Sequence, residues 1–230
     1  MDSYLARSRR KPSRAQLEET VNRIEDRFSR QVLRCLQRGP SLRGRETRPC
    51  LGILEENFDF VQPEPARAED LLLVHSQAHV SHVEHDTHLF EVGSLAVGGA
   101  IRASDISLTG EPAFGLMRPP GHHASPNSCL GFCYFNNIAI ATRRLIHAKE
   151  IERALIVDFD LHFGDGTANT FAGDASVVYY HMGPTPRDLD SFLSNAGSFD
   201  ALAVSAGFDR ASQTGRNTER YRLSSDWRSA

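Results

Sequence analysis

The segment RALIVDFD at residues 153–160 limits the fold of this chain more than any other. It is a short, uninterrupted apolar run, rich in branched residues and closed by two carboxylates. A run of that length and make-up reads as a strand buried on both faces. Three other runs are similar: AFGLM at 113–117, SVVYYH at 176–181 and DALAVSAG at 200–207. Helix-like stretches such as NNIAIATRRLIHAKE lie between several of them. Buried strands alternating with helices predict an α/β fold, a mainly parallel sheet flanked by helices. With 230 residues, 40% of them hydrophobic, the chain has apolar surface enough for a sizeable core.

Charge divides the chain. Residues 1–48 hold 13 Lys and Arg against 6 Asp and Glu, while the whole chain is net −3. In this basic part, Ser13 and Gln16 form a capping-box pattern. Leu17, Val21, Ile24, Phe28, Val32 and Cys35 then recur at spacings of three and four, the apolar stripe of one amphipathic helix ending near Gly39. The arginines fit the wet face of that helix. No base-reading motif accompanies them, so nucleic-acid binding is set aside. The organisation expected is a basic segment at 1–48, an α/β domain at 49–209 and a polar tail at 210–230. No apolar run reaches the roughly 18–20 residues needed to span a bilayer. Without a secretory h-region at the start, and with four cysteines that make no disulfide framework, a cytoplasmic location is expected.

The segment 70–75, DLLLVH, reads as short and buried, and one helix is expected from there to about Ser104. Histidines at 75, 79, 82, 85 and 88 have spacings that metal-binding helices use. A spacing of three drifts around the helix, however, and no Cys or paired acid completes a set. A partly buried helix face is the better reading.

Chemistry gathers where the apolar runs end. In VDFDLHFGDGT, Asp158, Asp160 and His162 alternate, which in an extended segment puts all three on one side. Carboxylates at the end of a buried strand are costly unless something positive binds there. AVSAGFD ends on Asp209, and AFGLM runs into RPPGHH. Ligands of open α/β sheets bind outside the carboxyl ends of the strands, so these clusters should converge. Asp160, His162 and Asp209 then make a three-ligand N/O set of the kind that leaves zinc an open position. His122 and His123 become the acid–base pair, turned into the cleft by RPPG. Asp158 and Asp165 orient imidazole N–H groups. Cys129 and Cys133 read as core residues.

The motifs RPPGHHA, GFCYFNN, DFDLHFGDGT and VSAGFD, in that order, resemble the zinc-dependent histone deacetylase superfamily, which includes acetoin-utilisation proteins and acetylpolyamine amidohydrolases. The resemblance implies an arginase-like parallel α/β fold, incomplete at the C-terminal end. It implies zinc on Asp160, His162 and Asp209, and two catalytic histidines, His122 and His123, supported by Asp158 and Asp165 respectively. Gly131 and Phe132 resemble the wall of an acyl-lysine tunnel. The segment from Asp158 to His162 is similar to the family's structural potassium (K+) site, although members often carry a serine where Tyr179 stands. The expected substrate is an acylated amine of the acetyl-lysine or acetylpolyamine type. Residues 210–230 lack the glycine-rich turn whose tyrosine stabilises the tetrahedral intermediate in the family, and Tyr221 is not given that role. That pattern reads as a truncated, frameshifted or splice-like end. Loss of one oxyanion donor costs roughly 10²–10³ in rate, so a slow enzyme is expected. The alternative is a non-catalytic module that binds acylated amines or a partner protein. A metal phosphohydrolase is weaker, because no phosphate cradle is present.

Overall fold

The computed structural model describes residues 59–182 and 187–207. The expected amphipathic helix of the basic segment, the polar tail, Tyr221 and Asp209 lie outside the described residues.

The helical layer comes first. DLLLVH folds as the short helix α1 (Ala68–Leu71) and a following turn, with Leu71 and His75 buried and Leu72 exposed. The histidine segment forms two helices where one was expected: α2 (Gln77–Glu84) and α3 (Thr87–Ser107). The break has a local cause. Asp86 accepts a hydrogen bond from the Leu89 backbone N–H at 3.1 Å, so it caps a new helix. His75 and His79 face inward, while His82, His85 and His88 are exposed. Helix α4 (Asn137–His147) is capped by Asn136, whose side chain accepts from Ala139 N–H at 3.1 Å. Leu71, Val80, Val83, Val97, Phe135 and Ile140 form the core that joins α1 to α4. Arg144 on α4 reaches Asp105 on α3 at 2.6 Å.

The sheet has three parallel strands in the order β2-β1-β3. They are β1 (Ala154–Asp158), β2 (Val177–His181) and β3 (Ala201–Ser205). Helix α5 (Asp165–Thr170) lies between β1 and β2, and α6 (Arg187–Ala196) between β2 and β3. Asp158 stands opposite His181 on one side and Ser205 on the other, so the three carboxyl ends are level. Helices flank both faces. Ala139 of α4 packs with Ile156, Val177 and Phe171 on one. On the other, Tyr180 stacks on Phe192 of α6 with ring centroids 4.2 Å apart. The order reverses at β1, which is where open α/β sheets place their ligands.

Two expectations are corrected. AFGLM forms no strand: residues 113–117 pair with no described strand, and Phe114 and Leu116 are half exposed. An apolar run becomes a strand only beside another strand, and here Met117 instead packs its sulfur against Gly99 of α3. Burial on both faces holds for β1 alone, since Leu202 and Val204 of β3 are half exposed.

His75 ties the turn after α1 to the histidine loop and to the start of α4. Its Nδ1–H donates to Ser125 O at 3.0 Å, and its Nε2 accepts from Asn136 N–H at 2.9 Å. Both contacts require the neutral ring. Burial, and next the nearby His79, lower its pKa from 6.5 to about 4. Between those values the unfolded chain takes up a proton that the native chain refuses, so stability is full above pH 6.5 and falls as pH drops toward 4. The expected loss over that window is on the order of 3 kcal/mol. Urea unfolding midpoints at pH 7, 5.5 and 4 check it, and His75→Gln should remove that component of the slope.

Candidate active site

The turn RPPGHH places two adjacent rings side by side. His122 is buried and His123 partly so, and their centroids lie 4.0 Å apart at 47°. Each ring has its own carboxylate. His122 Nδ1–H donates to Asp158 Oδ2 at 3.0 Å, and His123 Nδ1–H donates to Asp165 Oδ1 at 2.5 Å. With Nδ1 protonated in both, Nε2 is the basic atom of each neutral ring. Asp158 ends β1 and is fully buried, whereas Asp165 opens α5 and its side chain is 44% exposed. Burial opposes charge on His122, but the hydrogen bond to Asp158 and the charges of Asp158, Asp160 and Asp165 outweigh it and hold the ring above the usual imidazole range.

The scaffold behind the turn is polar and buried. Asn136 Nδ2–H donates to Ala124 O at 3.0 Å and to Thr167 Oγ1 at 3.1 Å. Thr167 N–H donates to His122 O at 3.0 Å. Gly166 lets the histidine turn lie directly on α5, because a Cβ there would run into the backbone of His123 and Ala124.

Asp158, Asp160 and His162 do not lie on one continuous strand. The strand stops at Asp158, and a bend follows. Asp158 turns to His122, and its Oδ1 accepts Asp160 N–H at 3.0 Å. Asp160 and His162 form a separate pair, with Asp160 Oδ1 and His162 Nδ1 3.1 Å apart. The His162 ring centroid is 6.2 Å from that of His123. Among the described residues, no group of three or more His, Cys, Asp or Glu is placed to hold a metal. The third expected ligand, Asp209, is not described, but the chain toward it is. Gly207 lies so close to the Asp160 carboxylate that a Cβ on it would overlap that group. The ends of β1 and β3 therefore meet at Asp160. Two ligands on a tetrahedral zinc ion sit about 3.3 Å apart, so the Asp160–His162 pair fits one edge of such a site.

Gly131 and Phe132 are consecutive left-handed residues, at φ 58° and 63°. Gly131 lies against His123, where an added Cβ would come within 2.7 Å of the ring, and Phe132 is 81% exposed. A shallow cavity of about 210 Å³ is lined by residues 129–134. Burial, with the Asp160, Asp165 and Asp158 charges adding to it, pushes the Cys133 thiol up to about 11, so it stays protonated.

Tyr179 has a contact in the site that sequence reasoning did not give it. Its hydroxyl donates to Asp158 Oδ2 at 3.1 Å, the oxygen that also serves His122. The available signal was strand register: Tyr179 sits opposite Ile156, on the face that Asp158 shares.

Comparison with known proteins follows the geometry. A family model described as histone deacetylase domain matches residues 27–188. A probable deacetylase of Methanothermobacter thermautotrophicus is 38% identical over 157 residues, covering 60% of this chain and 47% of that protein. The polyamine deacetylase HDAC10 of Rattus norvegicus is 37% identical over 153 residues, covering 55% of this chain and 26% of that protein. Among solved structures, the HDA15 HD domain matches with a TM-score of 0.60 and 25% identity, covering 66% of this chain and 61% of that one. The chain spans less than half the length of the two curated relatives named here.

Gly164 tests how tightly the buried pair is packed. A Cβ there would lie 2.5 Å from both Asp158 Oδ2 and Tyr179 OH, and 3.1 Å from His122 Nδ1. Gly164→Ala should destabilise the fold by roughly 2 kcal/mol, the cost of overpacking a closed site. A urea unfolding series checks this.

Proposed function

The chain belongs to the histone deacetylase domain family, and on that premise we propose that it is a zinc-dependent amidohydrolase that removes an acyl group, acetyl by preference, from an amine such as acetyl-lysine or an acetylpolyamine. The observation that carries this reading is the pair of adjacent histidines, each backed at Nδ1 by a carboxylate, beside the Asp160–His162 edge. Asp160, His162 and Asp209 would hold the zinc ion. When bound, zinc supplies Lewis acidity, polarising a carbonyl and bringing the pKa of a water to about 7. Asp158 O and Asp160 O would serve a potassium ion on the same loop. Both carbonyls lie at the end of β2, where Asp158 O accepts Met182 N–H and Asp160 O accepts His181 Nε2–H.

The protein's own groups divide the proton work. His123 takes the proton of the attacking water on Nε2 and later delivers it to the leaving amine. Asp165 holds its Nδ1–H and steadies the ring while it is charged. His122, held above the usual imidazole range chiefly by Asp158 against its burial, places positive charge beside the acyl group as negative charge develops. Gly131 keeps the chain flat against His123, and Phe132 offers an apolar wall to the amine's methylene chain. No described helix is long and apolar enough to cross a membrane; we read the protein as cytoplasmic.

The test pairs metal analysis with acetate release from an acetyl-lysine peptide and from an acetylpolyamine. The parent should hold one zinc per chain and turn over. His123→Ala should keep the zinc and lose a factor of roughly 10²–10⁴ in turnover, the usual share of a general base. Asp160→Ala with Asp209→Ala should lose the zinc. Zinc binding with no acetate release, unchanged by His123→Ala, would favour the binding-module reading. Undiminished zinc in the double variant would overturn the ligand assignment.

A further inference from the structure

The hydroxyl on Asp158 comes from β2, a strand that the proposed proton chemistry leaves unused. Because β1 and β2 run parallel with Ile156 opposite Tyr179 and Asp158 opposite His181, these four side chains share one face of the sheet. The Tyr179 ring lies along that face, and its hydroxyl reaches the carboxylate two positions further along β1. Asp158 Oδ2 therefore accepts twice, from His122 Nδ1–H at 3.0 Å and from Tyr179 O–H at 3.1 Å. Oδ1 accepts once, from Asp160 N–H at 3.0 Å.

We propose that Tyr179 is a positioning residue for the His122–Asp158 pair, fixing the rotation of the Asp158 carboxylate and, through it, the plane and tautomer of the His122 ring. A terminal carboxylate torsion is soft, so its orientation is set by its donors. Here they come from three separate segments: the histidine turn, the bend after β1, and β2. Only one orientation satisfies all three. The surroundings are built around the hydroxyl. Phe163 meets the Tyr179 ring edge-on at 6.0 Å, and the bare Cα of Gly164 leaves room for the phenol oxygen beside Asp158. Without the hydroxyl, Oδ2 keeps a single donor, and the carboxylate can turn, taking His122 with it. A small rotation matters because the His123 ring is only 4.0 Å away.

The kinetic consequence rests on the deacetylase reading, whereas the geometric one does not. Tyr179→Phe removes only the hydroxyl and keeps the ring. In histidine-labelled protein, the NMR signal of His122 Nδ1–H should shift and exchange faster with water. With an acetyl-lysine peptide, kcat should fall roughly tenfold while KM stays within about twofold, as expected for a group that acts through another. Bound zinc should remain at the parent level. Replacing Tyr179 by 4-aminophenylalanine restores a donor at the same place and should recover both the signal and kcat. An unchanged His122 signal in Tyr179→Phe, or a defect that 4-aminophenylalanine fails to relieve, overturns the proposal. A parent that releases no acetate counts against the deacetylase reading instead, and the NMR comparison then decides Tyr179 alone.

Discussion

A carboxylate with no exposure stands at the end of the central strand, and the rest of the molecule is arranged around that fact. Burying an ionised Asp158 is costly unless donors replace the water it has lost. Three do so, from His122, Tyr179 and Asp160. Each fixes a different part of the protein. The first holds the histidine turn, the second ties β2 to β1 beyond their backbone ladder, and the third bends the chain after β1. Beyond that bend Asp160 and His162 lie against each other, with Gly207 beside the Asp160 carboxylate. A charge that would be destabilising if unpaired thus becomes the point at which three segments agree on one geometry.

The same logic runs outward from the histidine turn. Its carbonyls need donors, because the turn is too deep for water to serve all of them. Asn136 and Thr167 supply these donors to Ala124 and His122, and Asn136 also starts α4. His75 closes the circuit by accepting Asn136 N–H and donating to Ser125 O. Buried polar networks of this kind are rigid when complete. One network therefore joins the helical layer to the loop that carries both imidazoles.

How much of this could be read from the chain depends on distance. The strands RALIVDFD, SVVYYH and DALAVSAG were legible because a buried strand has a local signature in its own residues. AFGLM carries the same signature and is no strand, since pairing depends on what lies beside it. The turn that brings His122 and His123 together was legible from proline and glycine punctuation. Assigning Asp158 to His122 and Asp165 to His123 agrees with the observed contacts, but it drew on motif resemblance, because spacing alone does not say which acid meets which ring. The single face of Asp158, Asp160 and His162 assumed that the strand continued; a hydrogen bond back to Asp158 ends it. Tyr179 was illegible because its role comes from register between strands 21 residues apart in sequence. Asn136 and Thr167 were missed because their bond joins two helix starts 31 residues apart in sequence.

The two histidine–carboxylate pairs look alike in sequence and differ in surroundings. Asp158 is sealed and shared among three donors, whereas the Asp165 side chain is 44% exposed at the start of a helix. Two imidazolium rings 4.0 Å apart repel, so the pair does not readily hold two protons. Despite its burial, His122 is biased toward the charged form by Asp158 and by the further charges of Asp160 and Asp165. The His123 ring rests instead on the half-open carboxylate of Asp165, at the start of α5. A difference in burial between two carboxylates thus gives two identical side chains different surroundings.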